Sequence, residues 1–411
     1  MTVGYKKSSM QMKHPSFLKL TTPVQHYDWG STVFLHHFLG LSSQSKKPIA
    51  ELWVSAHSKA PSRIENIVGK PALPDWITQH APTILGKQHA ATFKNNLPFL
   101  LKLISVNHPL SIQAHPNLKQ ATNEFKKETR RSISLQSSKR KFKDPFDKPE
   151  MLVALSPFTA LCGTRSSREI SQIWKSFNHP VLRKISIQTR GNVKKLLKIF
   201  FTLRAQNKDH SELITSVLKT CQKKKSSGVF KTILKLHQYF PHDIGILAPS
   251  FMNLVHLKPG QALFLAPGAL HSYLSGNGIE VMRNSDNVIR GALTSKPVDP
   301  VKLLSIIDFK NNRPIFIKPT PILEHPSSVK YPVKTPYFSL QVLSIKKQTR
   351  IKNKKETPTF LLCLKGKAVL VNPATQEKIP FKQGQAYFIP AKVSDYLIVG
   401  NAKVITVSLP D

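Results

Sequence analysis

The chain has 411 residues, 40% of them hydrophobic and 20% charged, and its 61 Lys and Arg against 22 Asp and Glu give a formal net charge of +39. That much apolar material excludes intrinsic disorder as the main state and predicts a globular protein of two or three domains. The excess of Pro (31) over Gly (17) favours short strands and ordered turns over a helical bundle.

Residues 20–116 are predicted to form short apolar segments broken by Pro, Gly and Ser, with few long helical patterns. The first twenty residues contain lysines but lack the apolar core of a secretory signal. No apolar run approaches the length of about 18 residues that a membrane span needs. Cys162, Cys221 and Cys363 are odd in number and far apart, so no disulfide framework is expected. We therefore expect a cytoplasmic protein that does not bind membranes.

The middle of the chain is predicted to be helical. A helical pattern over residues 117–131 is followed by a polar basic loop over 132–143. The clearest helix spans 192–206, with Asn192 as its N-cap. Its apolar residues recur with the period of one helix face: Val193, Leu196, Leu197, Phe200 and Phe201. Residues 209–225 and 229–239 are also predicted to form helices with one apolar face. We expect these apolar faces to pack together in a hydrophobic core.

From residue 251 onward the pattern returns to strands of four to seven residues, as in 251–257, 262–266, 360–364, 386–389 and 404–408. Gly260 and Gly384 each begin a Gly-Gln-Ala-x-Phe-Leu/Ile segment, 124 residues apart. If this repeat is real, the position of His271 is taken in the second copy by Asp395. The fold class is therefore mainly β with an α-helical insert.

The positive charge is spread along the chain. Residues 119–240 hold 27 Lys and Arg against 8 Asp and Glu, and the other 289 residues hold 34 against 14. A nucleic-acid-binding arm would be more concentrated, and the aromatic residues of 119–240 lie on the apolar helix faces. We expect no specific nucleic-acid partner, although an anionic substrate suits such a surface.

Three segments carry the residue types of a metal site. In a strand over 109–116, Ser111, Gln113 and His115 project from one face. Glu150 follows a Pro-rich turn at the start of an apolar strand, and His271 follows a strand and a Pro-Gly turn. Taken singly, each has an ordinary structural interpretation. Together Gln113, His115, Glu150 and His271 offer two nitrogen and two oxygen ligands, a set that suits zinc.

A second group of polar residues lies in 278–296. The four residues 284–287 predict a sharp turn between apolar flanks, and Glu280 precedes it. Arg290 and Lys296 follow the turn and suit a phosphate or a developing enediolate. A solvated loop is the alternative interpretation.

These segments resemble the type I mannose-6-phosphate isomerase family. The motifs are Tyr27-Asp-Trp-Gly-Ser31, Ala50-Glu-Leu-Trp53 with Ala56-His57, Leu97 to Lys102, Pro109 to Pro116, Lys148-Pro-Glu150, Pro267 to Leu274 and Ile279 to Lys296. The resemblance is strong over 20–165 and 245–300 and weaker over the C-terminal strands.

The resemblance implies an isomerase that interconverts mannose 6-phosphate and fructose 6-phosphate through a cis-enediol, with one Zn²⁺ per chain, and that serves GDP-mannose metabolism. We expect a monomer, although the sequence carries no signal for the oligomeric state. The resemblance also implies two cupin-like jelly rolls: residues 1–160 with 241–325 form the catalytic one, 161–240 the helical insert, and 326–411 a second roll without metal ligands. The family's metal ligands fall on Gln113, His115, Glu150 and His271. We assign catalysis to Arg290, Glu280 and Lys148, and substrate binding to Trp29, Glu51, Lys102, Ser111 and Lys296, with Lys102 and Ser111 as the phosphate ligands.

Two other functions compete with this interpretation. A cupin-type sugar-binding or regulatory protein would keep the metal without turnover, but it would not need Lys148, Glu280 and Arg290 together. A fused nucleotidyl transferase would need a Gly-rich nucleotide loop, and the sequence has none. The choice of catalytic base is left open by the sequence.

Overall fold

The computed structural model describes residues 14–42, 47–206, 208–353 and 356–410. Within these ranges the chain forms the following strands: β1 Leu18–Thr21, β2 Val24–Gln25, β3 Glu51–Val54, β4 Arg63–Ile64, β5 Phe99–Val106, β6 Ile112–Ala114, β7 Glu150–Ala154, β8 Phe158–Thr164, β9 Met252–Leu257, β10 Ala262–Leu265, β11 His271–Arg283, β12 Ile289–Ala292, β13 Ile315–Ile317, β14 Thr320–Ile322, β15 His325–Tyr331, β16 Ser339–Lys352, β17 Thr359–Val371, β18 Lys378–Lys382, β19 Ala386–Ile389 and β20 Asp395–Ser408.

The helices of the described residues are α1 Phe34–Phe38, α2 Leu73–Leu85, α3 Lys87–Thr92, α4 Leu118–Arg130, α5 Ser167–Phe177, α6 Pro180–Thr189, α7 Val193–Ala205, α8 Ser211–Lys223, α9 Gly228–Tyr239 and α10 Pro300–Ile306. A 3₁₀ helix covers Ile244–Ser250. Among the described residues, none of the helices combines the length and the apolar character that a membrane span requires. The expected β framework with a helical insert is confirmed, since α5 to α9 follow one another between β8 and β9.

The sequence signals for the helices are confirmed in detail. The Asn192 side chain accepts a hydrogen bond from the backbone N–H of Lys195 and so caps α7. Asn117 and Gln120 form a reciprocal capping box at the start of α4. The predicted apolar face of α7 packs into a core shared with the other inserted helices and with Ile112 and Ile289 of the site region.

The expected strand length of four to seven residues is wrong for the longest strands. β11 and β17 have 13 residues and β16 and β20 have 14. Each contains polar residues in its middle, so the apolar pattern stops while the backbone ladder continues. Strand length depends on cross-strand hydrogen bonds, which polar residues also make.

Two antiparallel sheets build the framework. One has 11 strands, with β13-β10-β7-β11-β5-β3-β2 as its main path and β6, β8, β9 and β12 attached beyond β11. The other has nine strands, in the order β14-β15-β16-β20-β17-β19-β1-β4, with β18 paired to β17. The N-terminal strands β1 and β4 thus complete the sheet built mainly by the C-terminal third of the chain.

β11 is the strand that organises the site. Its first half pairs with β6 and β8, and its second half pairs with β5 and β7. The change occurs at Gly276, whose φ of 124° is unfavourable for other residues and whose Cβ would meet Phe158 and Pro157 within 2.7 Å. The strand therefore carries His271 on one sheet segment and Glu280 on the other.

The Gly-Gln-Ala repeat is confirmed as a repeated turn and strand. Gly260 and Gly384 have φ values of 85° and 84°, and they precede β10 and β19. The following glutamines also act alike, because Gln261 and Gln385 each accept a hydrogen bond from the backbone N–H three residues earlier. Asp395 begins β20 as His271 begins β11, and its carboxylate pairs with exposed Arg350.

Candidate metal centre and cavity

Three strand ends bring the predicted metal ligands together. Glu150 is the first residue of β7 and His271 the first of β11, and His271 lies opposite Gln113 of β6. The metal-ligand atoms of His115, Glu150 and His271 all lie within 4.8 Å of one another, and all three residues are buried. Both imidazoles face the same carboxylate, with His115 Nε2 3.3 Å from Oε1 and His271 Nε2 3.5 Å from Oε2 of Glu150.

The imidazoles have the tautomer that metal ligation needs. His115 Nδ1 donates to the carbonyl of Asn287 at 2.6 Å, and His271 Nδ1 donates to that of Ala269 at 2.9 Å. Because a carbonyl oxygen only accepts, the proton is on Nδ1 and the lone pair of Nε2 is free. His115 Nε2 is buried without a hydrogen-bond partner among the described residues. Burial lowers the pKa of His115 to about 4 and lowers that of His271, so both rings are neutral at pH 7.

Glu150 supplies the negative charge of the site. Burial alone would raise the pKa of its carboxyl, but the imidazoles in their protonated form and the Lys148 ammonium outweigh burial, and this pKa lies well below its usual range. Lys148 Nζ lies 3.2 Å from Oε1. The carboxylate is therefore ionised at neutral pH.

Gln113 completes the set from β6. Its Nε2 lies 3.3 Å from His271 Nε2, and the Ser111 hydroxyl donates to its Oε1 at 3.3 Å. A half-turn of the amide exchanges its oxygen and nitrogen, and the oxygen is the end that binds cations. Two lone-pair nitrogens, a carboxylate and an amide oxygen fit a zinc ion, so the donor chemistry agrees with the sequence prediction.

A cavity of about 360 Å³ opens beside these ligands. Of the residues predicted to bind substrate or to act in catalysis, Trp29, Glu51, Lys102, Lys148, Glu280, Arg290 and Lys296 line it. Gln113 and Glu150 also line it, whereas His115 and His271 lie buried behind them. Ser111 is not part of the lining and contacts the site through Gln113.

Lys102 is enclosed by two carboxylates. Its Nζ lies 3.1 Å from Glu280 and 3.4 Å from Glu51, and only 7% of the residue is exposed. Burial alone would lower the pKa of Lys102, but Glu51 and Glu280 outweigh it and raise the pKa above the ordinary value. Lys102 is thus a permanent cation whose charge is already compensated inside the protein.

Glu280 lies between two donors at the cavity wall. It accepts from Lys102 on Oε2 and from the Tyr273 hydroxyl on Oε1, the latter at 3.0 Å. Burial raises the pKa of Glu280 in spite of the opposing charge of Lys102. A carboxylate with a raised pKa is a stronger base than an exposed one.

Arg290 and Lys296 are the cavity's uncompensated cations. Lys59, Lys102 and Lys148 are the other cationic residues of the lining, and each has a carboxylate within 3.4 Å. Over the described part of the chain, Arg290 and Lys296 have no such partner. Arg290 lowers the pKa of Lys296, and burial lowers that of Arg290, as expected for two neighbouring unpaired cations. Arg290 lies opposite Gln113 in the β6–β12 pairing.

The site also has residues that the sequence interpretation missed. Asp286 contacts Lys59 at 2.8 Å and His57 at 3.4 Å, which hold its pKa far below the usual value despite burial. Asn287 positions His115, and Tyr273 contacts Glu280. Tyr273 follows His271 by two residues, so strand alternation could have identified it. Asp286 and Asn287 lie in the predicted turn, but their contacts come from distant segments.

Family models match both ends of the chain. Residues 17–167 match "Phosphomannose isomerase type I, catalytic domain", and residues 327–409 match "Mannose-6-phosphate isomerase, cupin domain". The second match lies in the part of the chain where the sequence motifs are weakest.

Relatives match over nearly the whole length. The chain is 33% identical to mannose-6-phosphate isomerase of Escherichia coli K12 over 95% of its own length and 98% of the relative's. It is 31% identical to the Homo sapiens mannose-6-phosphate isomerase over 93% and 95% of the two chains. A crystal structure of mannose 6-phosphate isomerase from Salmonella typhimurium, bound to its substrate and to zinc, is similar with a TM-score of 0.85, 30% identity and coverage of 97% and 100%.

Proposed function

Since the chain belongs to the type I mannose-6-phosphate isomerase family, we propose that it interconverts mannose 6-phosphate and fructose 6-phosphate with one bound Zn²⁺. The observation that carries this proposal is the convergence of His115, Glu150 and His271 beside a cavity with two unpaired cations. We further propose that the reaction serves mannose and GDP-mannose metabolism. The three buried, unpaired cysteines support a reducing, cytoplasmic location.

The metal would be held by Gln113, His115, Glu150 and His271. When bound, zinc supplies Lewis-acid polarisation of a substrate oxygen. Asn287 and Ala269 keep the two imidazole lone pairs directed at the centre. Lys148 sits against Glu150 at the cavity wall, where it is placed to hydrogen-bond a sugar oxygen.

Glu280 is the proposed base. An aldose–ketose isomerisation moves a proton between C1 and C2 through a cis-enediol, which needs one base over both carbons. The carboxylate of Glu280 lines the cavity, and burial raises its pKa. Lys102 and Tyr273 hold it in place, so Lys102 acts on the base rather than directly on substrate.

The phosphate is proposed to bind at Lys296, with Arg290 between it and the sugar carbonyl. This replaces the sequence-based assignment of the phosphate to Lys102 and Ser111, because Lys102 is neutralised by Glu51 and Glu280 and Ser111 does not line the cavity. An unpaired cation attracts a phosphate dianion without first breaking an ion pair. Arg290 beside Gln113 is placed to stabilise negative charge that develops on the substrate oxygens.

We propose the same three units that the sequence predicts, and we add that two N-terminal strands belong to the C-terminal sheet. Residues 1–160 with 241–325, 161–240 and 326–411 remain the three units, and β1 and β4 add to the C-terminal sheet. The proposed units thus share a sheet, as well as the apolar core that joins Leu103 and Val153 to Phe360 and Val407.

An isomerase assay with a chelator control tests the function. Purified protein is incubated with mannose 6-phosphate, and fructose 6-phosphate is followed before and after exhaustive metal removal and after zinc is restored. We expect turnover that is lost on chelation and regained with zinc. Full activity without metal would refute the zinc requirement. A zinc-loaded protein without turnover would instead support a sugar-binding protein.

A further inference from the structure

A second cavity, of about 440 Å³, opens among the C-terminal strands. We call it the C-terminal cavity; its lining includes Gln341, Thr359, Tyr396, Thr406 and Ser408, from β16, β17 and β20. The two charged residues in its lining, Glu324 and Lys352, are exposed and opposite in sign. Its volume is within the range of about 300–1,000 Å³ that small-molecule sites have.

Strand pairing relates this cavity to the candidate metal centre. β10 and β19 are the two copies of the Gly-Gln-Ala repeat, and they pair with β7 and β17. Leu265 of β10 lies opposite Glu150, and Ile389, its counterpart 124 residues later, lies opposite Thr359. Thr359 therefore occupies the position of the metal-site carboxylate.

The next strands extend the same equivalence. Counting from these positions, Leu152 and Leu361 correspond, and they lie opposite Glu280 and Thr406 respectively. One strand further, Glu280 lies opposite Lys102, and Thr406 lies opposite Gln341. The charged residues Glu150, Glu280 and Lys102 of one sheet thus correspond to Thr359, Thr406 and Gln341 of the other.

The C-terminal cavity contains polar groups without a protein partner. The hydroxyls of Tyr396 and Thr406 and the amide of Gln341 make no hydrogen bond to any described residue. Their polar atoms are not sealed inside the protein but border the open space of the cavity, where they can bond water or a ligand. Hydroxyl and amide groups that both donate and accept match the hydroxyls of a sugar.

We propose that the C-terminal cavity binds an uncharged polyhydroxylated molecule, a free sugar or sugar alcohol. The structure places it at the counterpart of the catalytic cavity, with neutral hydrogen-bonding groups instead of the charged ones. A sugar phosphate is disfavoured because no pair of uncompensated cations like Arg290 and Lys296 lines the described part of this cavity.

Calorimetric titration of the full chain with D-mannitol and with D-mannose tests the proposal. The variants are Thr406→Val and the double variant Gln341→Leu/Thr406→Val, and the matched control is Thr349→Val, a buried threonine of β16 outside the cavity. We expect binding to the wild type and the control, weakened about 3- to 10-fold by Thr406→Val and further by the double variant. Isomerase activity should stay unchanged in all of them.

Three results would overturn the proposal. The first is the absence of binding of both probes to the wild type at millimolar concentration. The second is equal affinity in wild type and double variant, which would place the sugar elsewhere, including the catalytic cavity. The third is an equal loss in Thr349→Val, which would show a general packing effect. Threonine and valine have nearly the same shape, so we expect the Thr406→Val variant to fold. It therefore tests the proposal even if the double variant does not fold.

Discussion

Each imidazole of the metal centre has one nitrogen bonded to the backbone and one directed at the other ligands. His271 Nε2 also lies 3.3 Å from the amide nitrogen of Gln113, so these two proposed ligands contact each other. The backbone bond from Nδ1 means that the ring orientation is set before any ion binds.

Removal of this ring tests the ligand assignment. We expect His271→Ala to lose zinc and to lower the isomerase rate by at least about 100-fold, because a direct ligand contributes more than the outer residues that orient it. Zinc content by elemental analysis and the rate are measured together. His256→Ala, at an exposed position of β9, is the control and should change neither. A wild-type rate in His271→Ala would contradict the assignment.

Lys102 gives a test of the proposed base through pH. If Glu280 is the base, the activity requires its ionised form, and kcat/KM falls as pH drops through the pKa of this group, which burial has raised. Lys102 opposes that rise, and Lys102→Met should therefore move the acid limb to higher pH and lower the rate at pH 7 by about tenfold.

The pH profile separates this role from simple binding. If Lys102 held the phosphate, its removal would raise KM and leave the acid limb where it was. Lys367→Met, at an exposed position of β17, serves as the control for loss of one positive charge. An unshifted limb would exclude Glu280 as the titrating base.

At the scale of elements, β11 carries two of the proposed site residues in one strand. It carries His271 at its start and Glu280 in its second half, and Gly276 lies at the change of pairing partners between them. The backbone there has a positive φ and no room for a Cβ.

Gly276→Ala should therefore destabilise the protein by about 2 kcal/mol or more, since it combines an unfavourable φ with overpacking against Phe158. Urea unfolding measures the change, and activity should fall because both halves of β11 are displaced. Gly228→Ala is the control, as its Cβ would meet only Leu254 at 3.5 Å. Equal stability of the two variants would show that β11 tolerates the extra methyl group.

The elements were predictable to different degrees. The caps and apolar face of α7 are local, so the sequence was sufficient for them. The lengths of β16 and β20 were not predictable from the sequence. The middle residues of both strands are polar, and backbone hydrogen bonds between the two strands, not apolar packing, keep these residues extended. The pairing of β1 with β19 joins residues more than 360 positions apart and has no local signal.

At the scale of the whole molecule, the net charge of +39 bears on how a dianionic substrate reaches the cavity. Many of the positive charges lie on exposed faces of the inserted helices. A positive molecule attracts anions over about 10 Å at moderate salt, and added salt screens this attraction.

We expect kcat/KM for mannose 6-phosphate to fall about threefold or more between about 10 mM and about 200 mM salt, with kcat nearly constant. Steady-state kinetics in two different salts separates screening from competition by a particular anion. A kcat/KM that is independent of ionic strength would show that the surface charge does not steer the substrate.

The sequence by itself determined the β framework with its helical insert, the four residues proposed to hold the metal and the family to which the chain belongs. These depend on the period of the apolar residues, on turn residues and on the order of the motifs, all of which are local properties of the sequence.

Only the tertiary structure decided which charged side chains of the cavity have an oppositely charged partner. Lys102 is neutralised by carboxylates 51 and 178 residues away, whereas Arg290 and Lys296 remain unpaired among the described residues. The tertiary structure also showed that Thr359, Thr406 and Gln341 occupy the positions that Glu150, Glu280 and Lys102 have beside the metal ligands. Both findings follow from cross-strand register, which joins distant segments and is set by the packing of whole sheets.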